Sequence, residues 1–264
     1  MKNGAYCTFV MLNRPVVFQA VNIVAYVITL IVNGLAGSTT FLGGVTSADV
    51  SDMYPTLVTP AGFTFAIWGI IYTLLALFVI YQVLPKNKDK PFLGQISWFF
   101  GLSSLFNVVW LVFWHYDFVT YSVILMLGLL TSLIIIYRRL DIGRAMVDIK
   151  ERLMIHLPFS VYLGWISIAT IANVSVALTA IGWDEFGIEA STWAVLIIVV
   201  ALLLSLLMIV LRKDVAFCCV VIWALFGILT KQADYENIVL VSWIVIGVLG
   251  VAIGVILVLS KFKR

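Results

Sequence analysis

Charge-poor apolar segments recur along the whole chain, and each is long enough to cross a lipid bilayer. An α-helix rises about 1.5 Å per residue, so about 20 apolar residues span the hydrocarbon core. A water-soluble domain with 63% hydrophobic residues would expose large apolar areas, at a cost of about 25 cal/mol per Å². The sequence therefore predicts an all-α integral membrane protein with about eight transmembrane helices, roughly at residues 16–36, 60–84, 92–114, 118–137, 153–180, 190–211, 215–230 and 238–260.

The charged residues predict how these helices are oriented. With eight spans, every Lys and Arg except Lys231 falls on the side of the N-terminus, although the net charge is only +3. The opposite side carries mostly acidic residues. Because cytoplasmic loops hold the excess of Lys and Arg, both termini are predicted to be cytoplasmic. We interpret the basic clusters as topology signals rather than as a site for nucleic acid or anionic lipid, and we expect the lipid bilayer as partner and no nucleic acid.

The first apolar segment is predicted to be a retained helix. It contains Gln19, Asn22 and Asn33, which a secretory signal has no need for. The alternative is a cleaved signal peptide that ends near residues 35–37. With a retained helix and this charge bias, we expect a multi-pass protein of the cytoplasmic membrane of a prokaryote.

Four predicted helices carry polar and aromatic residues on one face. Residues three, four and seven apart stack along one side of a helix. Any single stripe is explained by close packing and interhelical hydrogen bonds, but four stripes together favour the lining of an internal pocket. The stripes are Gln19, Asn22, Tyr26 and Asn33; Ala61, Phe65, Trp68 and Tyr72; Ser103, Asn107, Trp110 and Trp114; and Tyr162, Trp165, Ala169 and Asn173.

Two features near the second and fifth predicted helices bear on this pocket. Thr59 and Pro60 form a cap and first-turn pair for the second helix, after a long loop that is either a lid or a passive linker. Pro158 is predicted to kink the fifth helix and free a backbone carbonyl.

Several kinds of chemistry have no support in the sequence. No Asp, Glu, Lys or Arg lies inside a predicted span, so proton-coupled pumping is not expected. His115 and His156 lie at opposite ends of their helices, and the cysteines Cys7, Cys218 and Cys219 lack metal-ligand spacing. We therefore predict no catalytic residue, no metal and no cofactor.

Three segments resemble one known family. Residues 60–72 read PAGFTFAIWGIIY and are similar to the second helix of the translocator protein, or tryptophan-rich sensory protein, family. Residues 107–110 resemble the Asn-x-x-Trp element of its third helix, and residues 157–173 resemble its fifth helix in order and spacing. The order of the helices extends the resemblance over residues 16–180.

The resemblance implies a five-helix bundle in residues 1–182, followed by a three-helix C-terminal membrane extension in residues 183–264. It also implies a pocket that opens toward the loop between the first two helices. The residues carried over by position are Trp68 and Trp165 as pocket tryptophans, Asn107 and Trp110 on the wall, and Phe65, Tyr72, Tyr162 and Ala169 nearby. The stretch after Asn173 lacks the Tyr and Arg of the family's proposed cholesterol motif, so a sterol is not expected.

Three functions remain open at this point. The leading hypothesis is a receptor or carrier that binds a flat apolar ligand, such as a tetrapyrrole, between helices one, two, three and five. The alternatives are an enzyme that breaks down porphyrin with light or oxygen through Trp68 and Trp165, and a secondary transporter or permease-like subunit that uses all eight helices. Gly250 and Gly254 form a small-xxx-small pair, for which an intramolecular contact is preferred and a homodimer is the alternative.

Overall fold

The chain folds into long helices joined by short links. The computed structural model describes the backbone of residues 3–38 and 40–261, and the side chains of residues 15–37 and 40–259. These residues contain no strand, which confirms the all-α prediction. They form eight long helices: α1 (Asn3–Ser38), α2 (Ile67–Val83), α3 (Phe99–His115), α4 (Val119–Arg139), α5 (Leu157–Ala180), α6 (Ala190–Arg212), α7 (Val215–Lys231) and α8 (Glu236–Lys261).

Six helical segments of the described chain are long and apolar enough to cross a bilayer: Pro15–Gly37, Gly62–Val83, Val119–Arg139, Ile149–Ala180, Ala190–Arg212 and Glu236–Leu259. The chain is therefore a multi-pass membrane protein. Helices α3 and α7 have 17 residues each and are about 25 Å long, at the short end of the range for a span. Eight spans with cytoplasmic termini stay a prediction, and the terminal charges Lys2, Lys261, Lys263 and Arg264 lie outside the described side chains.

Helix α5 lies at the centre of the bundle, where it contacts α2, α4 and α7. Helix α3 packs between α1 and α4, and α8 packs against α6 and α7. A Cβ at Gly164 of α5 would lie 3.2 Å from the side chain of Val220 and 3.4 Å from the backbone of Phe217, both on α7. The glycine therefore lets the two helices approach closely, as small residues do in membrane bundles.

The two ends of the bundle differ. One end, which we call the loop end, carries the long connection between α1 and α2, with its short helix Ser47–Met53. The other end, which we call the basic end, carries the links between α2 and α3, α4 and α5, and α6 and α7. These links contain seven of the sixteen Lys and Arg residues, and three more, Arg138, Arg139 and Arg212, end the helices that lead into them.

Two predicted helix boundaries are wrong in detail. The third predicted helix is divided into Phe92–Ile96 and α3, because Ser97 leaves helical geometry with φ 51° and ψ −135°. The second helix begins with a 3₁₀ turn at Gly62–Ala66 rather than at Thr59 and Pro60. Pro158 lies within the continuous helical segment Ile149–Ala180, directly after a π-helical turn at Arg152–His156, and the kink at Pro158 stays a prediction.

Candidate ligand site

Five aromatic side chains from α2, α5 and the 3₁₀ turn before α2 form a cluster inside the bundle. Trp68 stacks on Tyr72 with ring centroids 5.5 Å apart, and it meets Tyr162 and Trp165 edge-on at 6.1 and 6.2 Å. Phe65 meets Trp165 edge-on at 6.1 Å. Such aromatic pairs are worth about 0.5–1.5 kcal/mol each beyond the area they bury. The cluster is therefore held together by contacts among its own rings.

A small cavity lies beside this cluster and is walled by four tryptophans, Trp68, Trp110, Trp114 and Trp165. We call it the tryptophan cavity. Its volume is about 30 Å³, which is room for about one water molecule. Drug-sized ligands occupy pockets of about 300–1,000 Å³. The cavity is thus too small for a large planar ligand as it stands.

A larger cleft of about 290 Å³ lies next to the tryptophan cavity, at the loop end. It is lined by Asn33 of α1, by Ser47 of the loop and by Phe63 before α2, among other residues. Phe65 and Trp68 line both the cleft and the tryptophan cavity. These two side chains therefore lie between the two spaces.

Some of the polar groups around the site pair with one another. The indole N–H of Trp110 donates to Oδ1 of Asn173 at 3.0 Å, and the amide of Asn173 donates to the Ser122 hydroxyl at 2.9 Å. The amide of Asn33 donates to Oδ1 of Asn107 at 2.6 Å. These bonds hold α1 against α3, and α3 and α4 against α5, around the cavity.

One buried polar group at the site, Nε1 of Trp165, has no hydrogen-bond partner in the described part of the chain. The Tyr72 hydroxyl and the Asn107 side chain interact with each other, at a geometry short of a full hydrogen bond. Leaving a buried donor unsatisfied costs about 1–3 kcal/mol. The Trp165 indole N–H is therefore a donor that a polar atom of a ligand could satisfy.

The loop between α1 and α2 covers the tryptophan cavity, since Ser51, Thr59 and Pro60 line it. The Trp114 indole donates to the Ser47 carbonyl at 3.2 Å and fastens the short helix of the loop to α3. At the start of that helix, the backbone N–H and the hydroxyl of Thr46 lower the pKa of Asp49.

His115 also fastens the loop, and it is buried. When its Nδ1–H donates to the Leu111 carbonyl at 2.8 Å, its Nε2 accepts from the Ser47 hydroxyl at 3.3 Å. Among the described side chains, no group of three His, Cys, Asp or Glu could hold a metal ion, and Cys7 lies outside them.

A family model described as TSPO-like protein matches residues 19–255. The chain belongs to the TSPO-like protein family. The match confirms the resemblance drawn from residues 60–72, 107–110 and 157–173. It runs through α6 and α7 and into α8, well beyond the five helices that the three segments suggested. No curated protein matches the chain, and no solved structure matches it.

The predicted site residues of this TSPO-like chain lie together, in two groups. Phe65, Trp68, Trp110, Trp165 and Ala169 line the tryptophan cavity. Tyr72, Tyr162 and Asn107 are buried beside it without lining it. Helix α1, which was expected to line the pocket, reaches the neighbouring cleft instead, through Asn33, Ala36 and Gly37.

Five residues that line the cavity were missing from the predicted stripes: Ser51, Thr59, Pro60, Ile168 and Ala172. Helical spacing could have found two of them, because Ile168 and Ala172 lie three and seven positions after Trp165. The three loop residues follow no periodicity, and only the folded chain brings them to the cavity.

Proposed function

We propose that the chain is a membrane receptor or carrier that binds a flat, largely apolar ligand such as a tetrapyrrole, between α1, α2, α3 and α5. One observation carries the proposal. Phe65 and Trp68 separate the cleft from the tryptophan cavity, and the unpaired indole N–H of Trp165 lies beside them. An aromatic wall suits the face of a planar ligand, and a buried donor orients its polar edge.

Binding requires the wall to move. The cleft of about 290 Å³ is at the lower limit for a drug-sized ligand, and the tryptophan cavity is far below it. A ligand that enters the cleft therefore displaces Trp68 from Tyr72 and Trp165 and stacks in its place. Ring contacts with the ligand replace the ring contacts that are lost, so the exchange costs little.

The test is a porphyrin titration of the purified protein in detergent, followed by quenching of tryptophan fluorescence. We expect saturable quenching at micromolar porphyrin. Trp165→Phe keeps a ring but removes the donor, and should raise Kd by about 2- to 13-fold, which corresponds to about 0.5–1.5 kcal/mol for one hydrogen bond.

The matched control is Trp243→Phe on α8. Trp243 is half-exposed and meets Phe226 edge-on, away from the site, so its loss removes the same amount of indole without touching the cavity. Unsaturable quenching of the wild type, or an equal rise in Kd in both variants, would contradict the proposal.

A second candidate is light- or oxygen-dependent breakdown of the bound porphyrin. It is favoured by the direct contact of the Trp68 and Trp165 rings, whose centroids are 6.2 Å apart. Porphyrin loss under illumination should then stop in the Trp68→Phe, Trp165→Phe double variant. A product that forms at the wild-type rate in that variant rules this candidate out.

A further inference from the structure

Helix α7, from the C-terminal part of the chain, lies directly against the segment that covers the tryptophan cavity. We call residues 56–65 the rim segment. One side of this segment lines the cavity through Thr59, Pro60 and Phe65. The other side contacts α7. The rim segment is therefore held between the cavity and α7, a helix that carries none of the predicted binding residues.

Two hydrogen bonds join the rim segment to α7 through backbone atoms. The backbone N–H of Ala61 donates to the Gly227 carbonyl at 3.1 Å. The Trp223 indole donates to the Thr64 carbonyl at 3.0 Å, and its ring meets Phe63 edge-on at 5.5 Å. Each bond involves a residue adjacent to one that lines the cavity, since Ala61 follows Pro60 and Thr64 precedes Phe65.

Gly227 lets the two backbones come this close. A Cβ at this position would lie 2.0 Å from the Thr64 hydroxyl oxygen and 2.8 Å from Cβ of Pro60. The Thr64 hydroxyl can rotate, but Cβ of Pro60 and Cβ of Thr64, the latter at 3.1 Å, move only with the rim backbone. Even the smallest side chain at residue 227 would push the rim segment toward the cavity or away from α7.

The C-terminal end of α7 holds the rest of the segment and the loop before it. Lys231 forms an ion pair with Asp52 and donates to the Thr59 hydroxyl at 3.2 Å. The Gln232 side chain donates to the Thr56 carbonyl at 3.4 Å. Val58 is buried where α5, α6 and α7 meet.

We propose that α7 is a positioning element of the ligand site, and that Gly227 and Trp223 hold the rim segment in the register that closes the tryptophan cavity. The ligand part of this inference rests on the proposed function, whereas the positioning of the rim does not. Loosening the contact should let the rim move aside more often. Ligand should then enter and leave faster, while the aromatic walls that it contacts stay the same.

The first test uses no ligand. Hydrogen–deuterium exchange of the full chain in detergent reports on the Ala61 amide, which is protected by the Gly227 carbonyl. Gly227→Ala should speed exchange in the rim segment by tenfold or more. Gly250→Ala is the matched control, because a Cβ at Gly250 on α8 meets nothing within 4 Å. Trp223→Phe keeps the ring beside Phe63 and removes one bond, so it tests the same contact if Gly227→Ala fails to fold.

The second test measures the rate of porphyrin release from the same variants. Release should be at least fivefold faster in Gly227→Ala and Trp223→Phe than in the wild type and Gly250→Ala, with the fluorescence spectrum of bound porphyrin unchanged. Unchanged rim exchange in both α7 variants overturns the inference. Faster exchange with unchanged release also overturns it. If wild-type protein binds no porphyrin, the proposed function fails, and exchange at Ala61 still decides whether α7 positions the rim.

Discussion

Asp214 offers the most direct test of how the C-terminal helices are joined to the rest of the bundle. It begins α7 at the basic end and is buried where α4, α5 and α7 meet. Its carboxylate accepts from the Tyr137 hydroxyl of α4 at 2.8 Å and from the Ser160 hydroxyl of α5 at 2.6 Å. It also accepts from the backbone N–H of Phe217 at 3.1 Å and so caps α7.

The cost of removing this carboxylate can be worked from its partners. Asp214→Ala leaves two buried hydroxyls and one helix N–H without their acceptor, at about 1–3 kcal/mol each before relaxation. Water that enters the vacated space recovers part of this. We expect the free energy of unfolding to fall by about 3–5 kcal/mol. Asp214→Asn keeps the shape and one acceptor oxygen, so it should cost about 1–2 kcal/mol.

The assay is equilibrium unfolding in detergent micelles titrated with a denaturing detergent, followed by tryptophan fluorescence. The matched control is Asp184→Ala, because Asp184 is exposed and accepts one backbone N–H, from Phe186 at 3.1 Å. Its loss should cost less than about 1 kcal/mol. A double-mutant cycle with Tyr137→Phe should give a coupling of at least about 1 kcal/mol. The reasoning is refuted if Asp214→Ala is no more destabilising than Asp184→Ala.

Three further changes have expected outcomes. Trp110→Phe removes the donor to Asn173 and should lower the free energy of unfolding by about 1 kcal/mol in the same titration, whereas no change would mean that this bond contributes nothing. The hydrogen bond to Asp117 raises the pKa of Tyr54 from 10.0 to about 12. The stabilisation by this hydrogen bond is therefore complete below pH 10.0 and is lost as pH rises toward about 12. An ultraviolet titration of the wild type, compared with that of Tyr54→Phe, measures the pKa of Tyr54. Lys90→Gln removes ion pairs with two carboxylates and should cost up to about 1 kcal/mol at low salt and less at high salt, so a salt-independent loss would contradict an ionic origin.

The helices were largely predictable because apolar length alone determines them in a membrane. The predicted boundaries of the fourth to eighth helices lie within four residues of α4 to α8. The break at Ser97 was not predictable, since it lies inside an apolar run and arises from one backbone torsion. The shifted start of the second helix was not predictable either, since it follows from the extended torsions of Ala61 (φ −61°, ψ 150°), whose N–H donates to the Gly227 carbonyl of α7.

The candidate site was predictable to the level of helix faces. Helical spacing identified the faces that carry Trp68, Trp110 and Trp165, and these side chains do line one cavity. Helical spacing could not predict how small that cavity is, because a volume of about 30 Å³ depends on side-chain rotamers and close packing. It also could not assign a role to Asp214, which lies in the short link between two apolar segments and finds its partners on distant helices.

The contacts of α7 change how a truncation of the chain should be interpreted. If the ligand site belongs to the first five helices, deletion of residues 183–264 would be expected to leave binding intact. The same deletion removes the Gly227 carbonyl from the Ala61 N–H and uncovers the face of α5 at Gly164, which packs on Val220. The truncated chain should therefore bind poorly even if every residue that touches ligand lies before residue 183. Loss of binding on truncation cannot distinguish a five-helix site from an eight-helix transporter, whereas the pair Gly227→Ala and Gly250→Ala tests the contact of α7 with the rim segment directly, because each adds one methyl group to an otherwise complete chain.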